Sequence, residues 1–391
     1  MKNKFLKYKI ITIVFIFFIN INHLFADDIS IDAEVVDIKE KGNLIVASGT
    51  IKISDGDNIE INGKKAKYNK LEQIVEIEGN VIFFDKTKNY KAFGDKIIFD
   101  RDKKIISSFG NTIIKQFDRD NNNLIFEIKG DNSYLNTSNE IYEVNKNVSL
   151  TDYSNDYIIL TDKIIYYKSK DIIKSFNTTN IEYKNDFFIQ TKNISFDRKT
   201  KKFFTDNFTI VKDKFKNKFE LSSFDFNLEQ KIFKSEKIKI IDAQKNSLKL
   251  TKGFVDLKSN ELTGSDYYLD FNKNTFGNPE NDPRMYGRYI TSNKSETKMK
   301  KSSFTTCKKN DGKCPAWSLS ADEVIHKKEK RRIEYKNAWL EIYDVPVAYF
   351  PYFFHPDPTI KRQSGFLFPQ FLNSSNLGFS TQIPYYKVID E

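Results

Sequence analysis

From Ile31 onward, apolar and polar positions alternate in short runs such as Leu44-Ile45-Val46-Ala47, Ile59-Glu60-Ile61 and Ile74-Val75-Glu76-Ile77-Glu78. Gly, Asn and Asp punctuate the runs. A period of two marks half-buried strands, the punctuation marks turns, and the 3.6-residue rhythm of an amphipathic helix is almost absent. The pattern predicts an all-β chain with at least a dozen strands and fewer than one residue in ten in helix. Aligned on itself, the chain repeats a large apolar residue at Tyr68, Phe99, Tyr134, Tyr166, Phe196, Phe226 and Leu257, with separations of 31, 35, 32, 30, 30 and 31. Two residues earlier stand Ala66, Ile97, Asn132, Ile164, Ile194, Phe224 and Val255. A strand, a turn and a returning strand cannot bury an apolar face alone, so the repeats must stack, here as a curved two-sheet array. Alternation turns Ile97, Phe99, Ile164, Tyr166, Ile194 and Phe196 inward and leaves Ile98 and Ile165 facing out.

Between Leu262 and Thr306 the rhythm breaks at Gly277-Asn278-Pro279 and Asp282-Pro283, which reads as a loop insertion or cap. It returns at Ala321–His326, where His326 takes an aromatic's place and reads as a packed or rim residue. Val345 to Phe354 is aromatic and β-branched but carries Pro346 and Pro351, so it reads as extended pieces at an edge or junction. A hairpin follows, from Gly365 to Leu372 and from Leu377 to Val388. Pro369 and Pro384 fall inside its two strands, at positions where a ladder needs an N–H donor.

The first residues set the compartment. Lys2, Lys4, Lys7 and Lys9 precede the apolar run Ile10 to Ile19, and Leu24-Phe25-Ala26 offers a cleavage site, the pattern of a secretory signal peptide. The net charge of +10 invites a nucleic-acid reading, yet Arg supplies only 8 of the 63 basic residues, and base readout leans on Arg. No nucleic-acid partner is expected. The two cysteines, Cys307 and Cys314, are expected to form a disulfide in an exported chain. Zinc wants four ligands, and His326 and His355 are not at ligand spacing, so no metal is expected. Neither a Ser/His/Asp set, a phosphate loop nor an outstanding carboxylate pair is present, so we expect no catalytic residues, no cofactor and no enzyme activity. A β-helix enzyme acting on polysaccharide fits the repeat length poorly.

Ala316-Trp317-Ser318-Leu319-Ser320-Ala321, Tyr335-Lys336-Asn337-Ala338, Val345 through Tyr352, Arg362-Gln363-Ser364-Gly365-Phe366-Leu367-Phe368-Pro369 and Gly378 through Tyr386 resemble the LptD family of lipopolysaccharide-assembly proteins of the Gram-negative outer membrane. The resemblance is strong from Trp317 to Tyr386 and loose across the repeats. It implies an elongated open β-jellyroll like that of the periplasmic bridge proteins LptA and LptC, followed by the first two strands of an outer-membrane β-barrel. The expected segments are a signal peptide (1–26), jellyroll repeats (27–262), an insertion with the Cys pair (263–316), a last repeat and junction (317–362) and a first barrel hairpin (363–391). A closed barrel needs at least about 8 strands, more than the 29 residues from Gln363 supply.

The resemblance further implies acyl chains of lipopolysaccharide carried along Ile97, Phe99, Ile164, Tyr166, Ile194 and Phe196, and release through a lateral gate at Pro369 and Pro384. Lys361 and Arg362 are placed to meet lipid phosphates. The implied partners are lipopolysaccharide, an LptA-like bridge protein, an LptE-like lipoprotein plug and the outer-membrane barrel-assembly machinery. The implied location is the cell outer membrane with a periplasmic N-terminal domain. The family's best-known disulfides tie jellyroll to barrel, whereas both cysteines here share one short loop. The alternative function is a wholly periplasmic, LptA-like bridge or scaffold.

Overall fold

The computed structural model describes residues 29–56, 58–276, 279–309, 315–357, 364–366, 370–374 and 378–389. Among them, 28 strands form one hydrogen-bonded antiparallel system. Consecutive segments pair in chain order, so the topology is a meander. Eight long strands open it after a first pair at Ile29–Asp32 and Val35–Lys39: Leu44–Asp55, Ile59–Asn69, Ile74–Asp85, Tyr90–Asp100, Ile105–Phe117, Leu124–Asn136, Ile141–Asp152 and Tyr157–Tyr167. Among the described residues only 3-10 turns represent helix, at Glu40–Gly42 and Lys273–Phe276. No helix among them is long and apolar enough to cross a membrane.

The long strands bend near their midpoints, and the sequence shows why. The ladders slip register between Ser48 and Ile51, Glu78 and Val81, and Phe109 and Thr112. At those slips Gly49, Gly79 and Gly110 take φ of 100°, 93° and 69°, and Asn80 and Asn111 follow with φ of 51° and 46°. Left-handed backbone of this kind favours Gly and Asn, so the Gly-Asn pairs that punctuate the sequence are corners within a strand. The facing strands carry Gly63, Gly94 and Gly130, where an added Cβ would lie 2.3 Å from Ile77 Cγ2, 2.1 Å from Ser108 Oγ and 2.5 Å from Val144 Cγ1. One line of glycines turns the chain, and the other permits close approach.

Further along, Ser and Thr take over this crease. Each run is split in two, as in Ile172–Phe176 with Thr178–Tyr183 and Lys202–Thr205 with Thr209–Asp213. Buried hydroxyls then hold the backbone groups that the split leaves over. Thr161 Oγ1 donates to Phe176 O at 2.8 Å, Thr205 Oγ1 to Lys192 O at 3.0 Å and Thr305 Oγ1 to Trp317 O at 2.7 Å. Thr191 and Thr209 pair across the crease at 2.8 Å. A buried carbonyl without a partner is costly, which explains Ser and Thr at positions otherwise reserved for apolar residues.

The crease divides the system into two leaves that face each other. Ring contacts cross the gap at 5.5 Å for Phe83–Phe99, 5.2 Å for Phe126–Tyr166, 4.9 Å for Tyr157–Phe196 and 5.3 Å for Phe219–Phe233. Burying each such side chain contributes about 1.5–3 kcal/mol, so the interior between the leaves holds the array together. Tyr134 departs from the aromatic repeat. It is 42% exposed and its neighbour Leu135 is fully buried, because the turn at 118–123 lengthens that repeat and shifts the inward position by one residue.

Two further expectations are corrected. The segment read as an insertion, 263–316, carries the meander onward: Glu261–Asp270, Arg284–Ser292 and Glu296–Thr305 pair in succession. Pro279 and Pro283 lie between Glu261–Asp270 and Arg284–Ser292. Pro384, expected inside a strand, lies in the break between Gly378–Gln382 and Tyr385–Tyr386. The hairpin itself forms, with Phe366 opposite Tyr385 and Gln370 opposite Gln382. The aromatic run is the strand Val345–Pro356, paired on one side with Arg332–Ile342, and Val345, Val347, Tyr349, Tyr352 and Phe354 are exposed along it.

Candidate functional site: the interior cleft and its mouth

The six residues expected to line a lipid path all point into the interior. Ile97, Phe99, Ile164, Ile194 and Phe196 are at most 1% exposed and Tyr166 is 4% exposed, while Ile98 and Ile165 are half-buried on the outer face. Phe99, Tyr166 and Phe196 pack against aromatic rings of the opposite leaf in a filled core. Space opens further along the chain, in two cavities lined from both leaves. One, of about 390 Å³, lies among Phe187, Phe219, Val255 and Leu262, with Asp213 and Lys231 at its rim. The other, of about 290 Å³, lies among Leu269, Phe271, Met285, Met299, Phe304 and Tyr335.

Opposite the crease the leaves end in turns, and these turns form the mouth. Two residues beyond the inward aromatic of one leaf stand Lys70, Arg101, Lys168 and Arg198; two beyond the inward apolar residue of the other stand Asp55, Asp85, Asp152 and Asp213. At these positions one lip carries bases and the other carboxylates. Arg101 reaches across to Asp55 with a bidentate pair at 2.9 and 2.7 Å, and also meets Tyr68 Oη at 3.2 Å. Lys88 donates to Thr137 O at 2.5 Å and Lys168 to Lys88 O at 3.4 Å. Arg198 reaches Asp152 at 3.0 Å and Asp171, on its own leaf, at 2.9 Å. Burial pushes the Lys168 ammonium below the ordinary lysine range. Burial, helped by the neighbouring Asp152 carboxylate, pushes the Tyr157 phenol well above its own. The sequence carried the signal for these links, a base or acid at a fixed offset from the repeat's inward residue, but alternation alone did not flag it.

At the far end His326 Nε2 meets Asp357 Oδ2 at 2.6 Å, and Tyr335 Oη meets His355 Nε2 at 3.1 Å. His326 is half-buried and lines the smaller cavity. Burial holds the His355 imidazole below its usual range. Cys307 is free among the described residues, its Sγ 3.8 Å from Trp317 O. Its expected partner Cys314 lies outside the described residues, as do Lys361, Arg362, Pro369 and the signal segment.

A meander creased into two facing leaves, apolar inside and rimmed by charge, defines a β-jellyroll scaffold. The chain is 37% identical over 126 residues to LPS-assembly protein LptD of Idiomarina loihiensis, a match covering 32% of this chain and 15% of that protein. It is 39% identical over 97 residues to LptD of Pseudoalteromonas translucida (25% and 12%) and 42% identical over 90 residues to LptD of Yersinia pestis (23% and 11%). Over these stretches the chain is similar in sequence to LptD proteins, and the matched part spans only 11 to 15% of those relatives' length. A solved structure of LptH, the LptA-homologous periplasmic component of the lipopolysaccharide transport device of Pseudomonas aeruginosa, aligns with TM-score 0.22 and 10% identity, covering 38% of this chain and 82% of that one. No family model matches the chain.

Proposed function

We propose that the chain is the periplasmic portion of a lipopolysaccharide-assembly protein: it accepts lipopolysaccharide from an LptA-like bridge, shelters the acyl chains between its leaves and leads them to an outer-membrane barrel. The observation that carries this reading is the continuous apolar interior, lined from both leaves and widening into two cavities toward the C-terminal strands. Phosphorylated sugars would stay at the charged lips while the tails lie inside. Release then runs through a seam at Pro369 and Pro384, with Lys361 and Arg362 meeting lipid phosphates, an LptE-like plug in the barrel and the barrel-assembly machinery inserting it. The break in the ladder at Pro384 supports a weak seam there.

Photo-crosslinkers test the path. Placed at Phe99, Tyr166, Phe196 and Met299 in the chain expressed with its natural leader, they should capture lipopolysaccharide, and those at Ile98 and Ile165 should capture much less. Equal labelling of the two sets would refute the reading. Among the described residues the array has open edges at Val35–Lys39 and Val345–Pro356, which also suit a purely periplasmic bridge. Recovery of the chain in soluble periplasm rather than with outer membranes would favour that second reading.

A further inference from the structure

The two arginines that cross the mouth are built differently. Arg101 grips Asp55 with two of its nitrogens and also meets Tyr68 Oη and Gln73 Oε1. Arg198 makes one ion pair across the mouth, from Nε to Asp152 Oδ2. On its own leaf it keeps Asp171, itself held by Tyr166 Oη at 2.8 Å, and it lies 5.4 Å over the Phe126 ring. Asp152 keeps neutral donors: it accepts from Ser154 N at 2.9 Å, Asn155 N at 3.0 Å, Asn155 Nδ2 at 3.1 Å and Tyr157 Oη at 2.9 Å. Parting Arg198 from Asp152 therefore leaves the arginine a counter-charge in Asp171 and the carboxylate its four hydrogen bonds. A buried pair is hard to break because one partner is left uncompensated, and Asp171 lowers that penalty on the arginine's side.

We propose that Arg198 is a releasable latch, opened when the phosphate of an amphiphile takes the place of Asp152 on the guanidinium. This rests on the lipid-path reading and adds its regulation. A phosphate suits the exchange, since it accepts from the guanidinium fork as a carboxylate does and carries more charge. The latch guards Phe196 and Tyr166, which lie directly behind it and pack against Tyr157, Phe126 and Tyr142. The two cavities lie beyond it, toward the C-terminal strands.

The test uses spin labels at Ser154 and Lys199, exposed on opposite lips, and reads their separation by pulsed dipolar spectroscopy in the whole chain. Lipopolysaccharide micelles should add a longer-distance population; dephosphorylated lipopolysaccharide should add at least about fivefold less, given the charge-assisted pairing that phosphate alone supplies. Inorganic phosphate alone distinguishes a free anion from a headgroup: widening by phosphate assigns the latch to the anion, widening only by micelles assigns it to the lipid. Arg198→Gln should show the longer population without ligand. Equal widening by the phosphorylated and dephosphorylated lipids would overturn the proposal, and that comparison needs no variant to fold. So would an unchanged distance in a folded Arg198→Gln chain. Crosslinking at Met299, beyond the latch, separates the two failures: capture there with no change in distance sinks the latch alone, and no capture at any interior position sinks the lipid path.

Discussion

Gly63→Ala should show how tightly the crease is packed. The backbone there needs no left-handed conformation, so the cost is steric: the new Cβ would sit 2.3 Å from Ile77 Cγ2 and 3.3 Å from Glu78 O. Cγ2 is fixed to a β-branched carbon, and Ile77 is 1% exposed, so the clash cannot swing into solvent. Overpacking of this kind costs about 1–3 kcal/mol. Ile77→Ala alone removes the clashing atom but leaves a void, at about 2–5 kcal/mol. In the double variant the new methyl enters the vacated space, so its loss should fall at least ~1 kcal/mol short of the sum of the singles, within the coupling range of touching residues. Stacked repeats do not always unfold as one unit. The measurement is therefore native-state hydrogen exchange at the amides of Ile61 and Val75, which reads local opening. Additivity within about 0.5 kcal/mol would contradict the close-approach account of the second glycine line.

Two further outcomes follow from the lips and the outer faces. Arg101→Gln removes a partner of Asp55, whose side chain is only 7% exposed, and should destabilise the N-terminal repeats by about 3–5 kcal/mol in denaturant unfolding; a loss below about 1 kcal/mol, the level of an exposed pair, would count against a buried link across the mouth. Hydrogen bonds from Lys52 and Lys86 hold the Glu60 carboxyl below its ordinary value of 4.5, and those from Lys218 and, against some burial, from Lys239 on the neighbouring strand do the same for Glu220. A depressed folded-state value contributes stability above the unfolded value that is lost as pH falls through the folded one. The melting temperature should therefore drop below pH 4.5, and less steeply in Glu60→Gln; an identical slope would count against these cross-strand triplets.

Much of the fold was legible because alternation and the period of about 31 residues are local signals. The inward positions Phe99, Tyr166 and Phe196 followed directly from them. Tyr134 was misplaced because a longer turn changes register without disturbing alternation, and a shift of one residue swaps the faces. The segment after Leu262 was misread because Pro279 and Pro283 look like the start of a loop whether they interrupt a sheet or merely lengthen one turn. The mouth was hidden for another reason. Arg101 and Asp55 are 46 residues apart, and a charge at a strand end looks solvated until the opposite leaf is in place.

The crease has a consequence for reach. Because the chain crosses it on every strand, one repeat of about 31 residues places two strands in each leaf, and strands lie about 4.8 Å apart. Each repeat thus lengthens the array by roughly 10 Å while its cross-section and its two terminal edges stay as they were. Duplicating or deleting a repeat between the first and last strands would change the span in fixed steps, much as sections are added to a pipe, and both couplings at the ends would still fit.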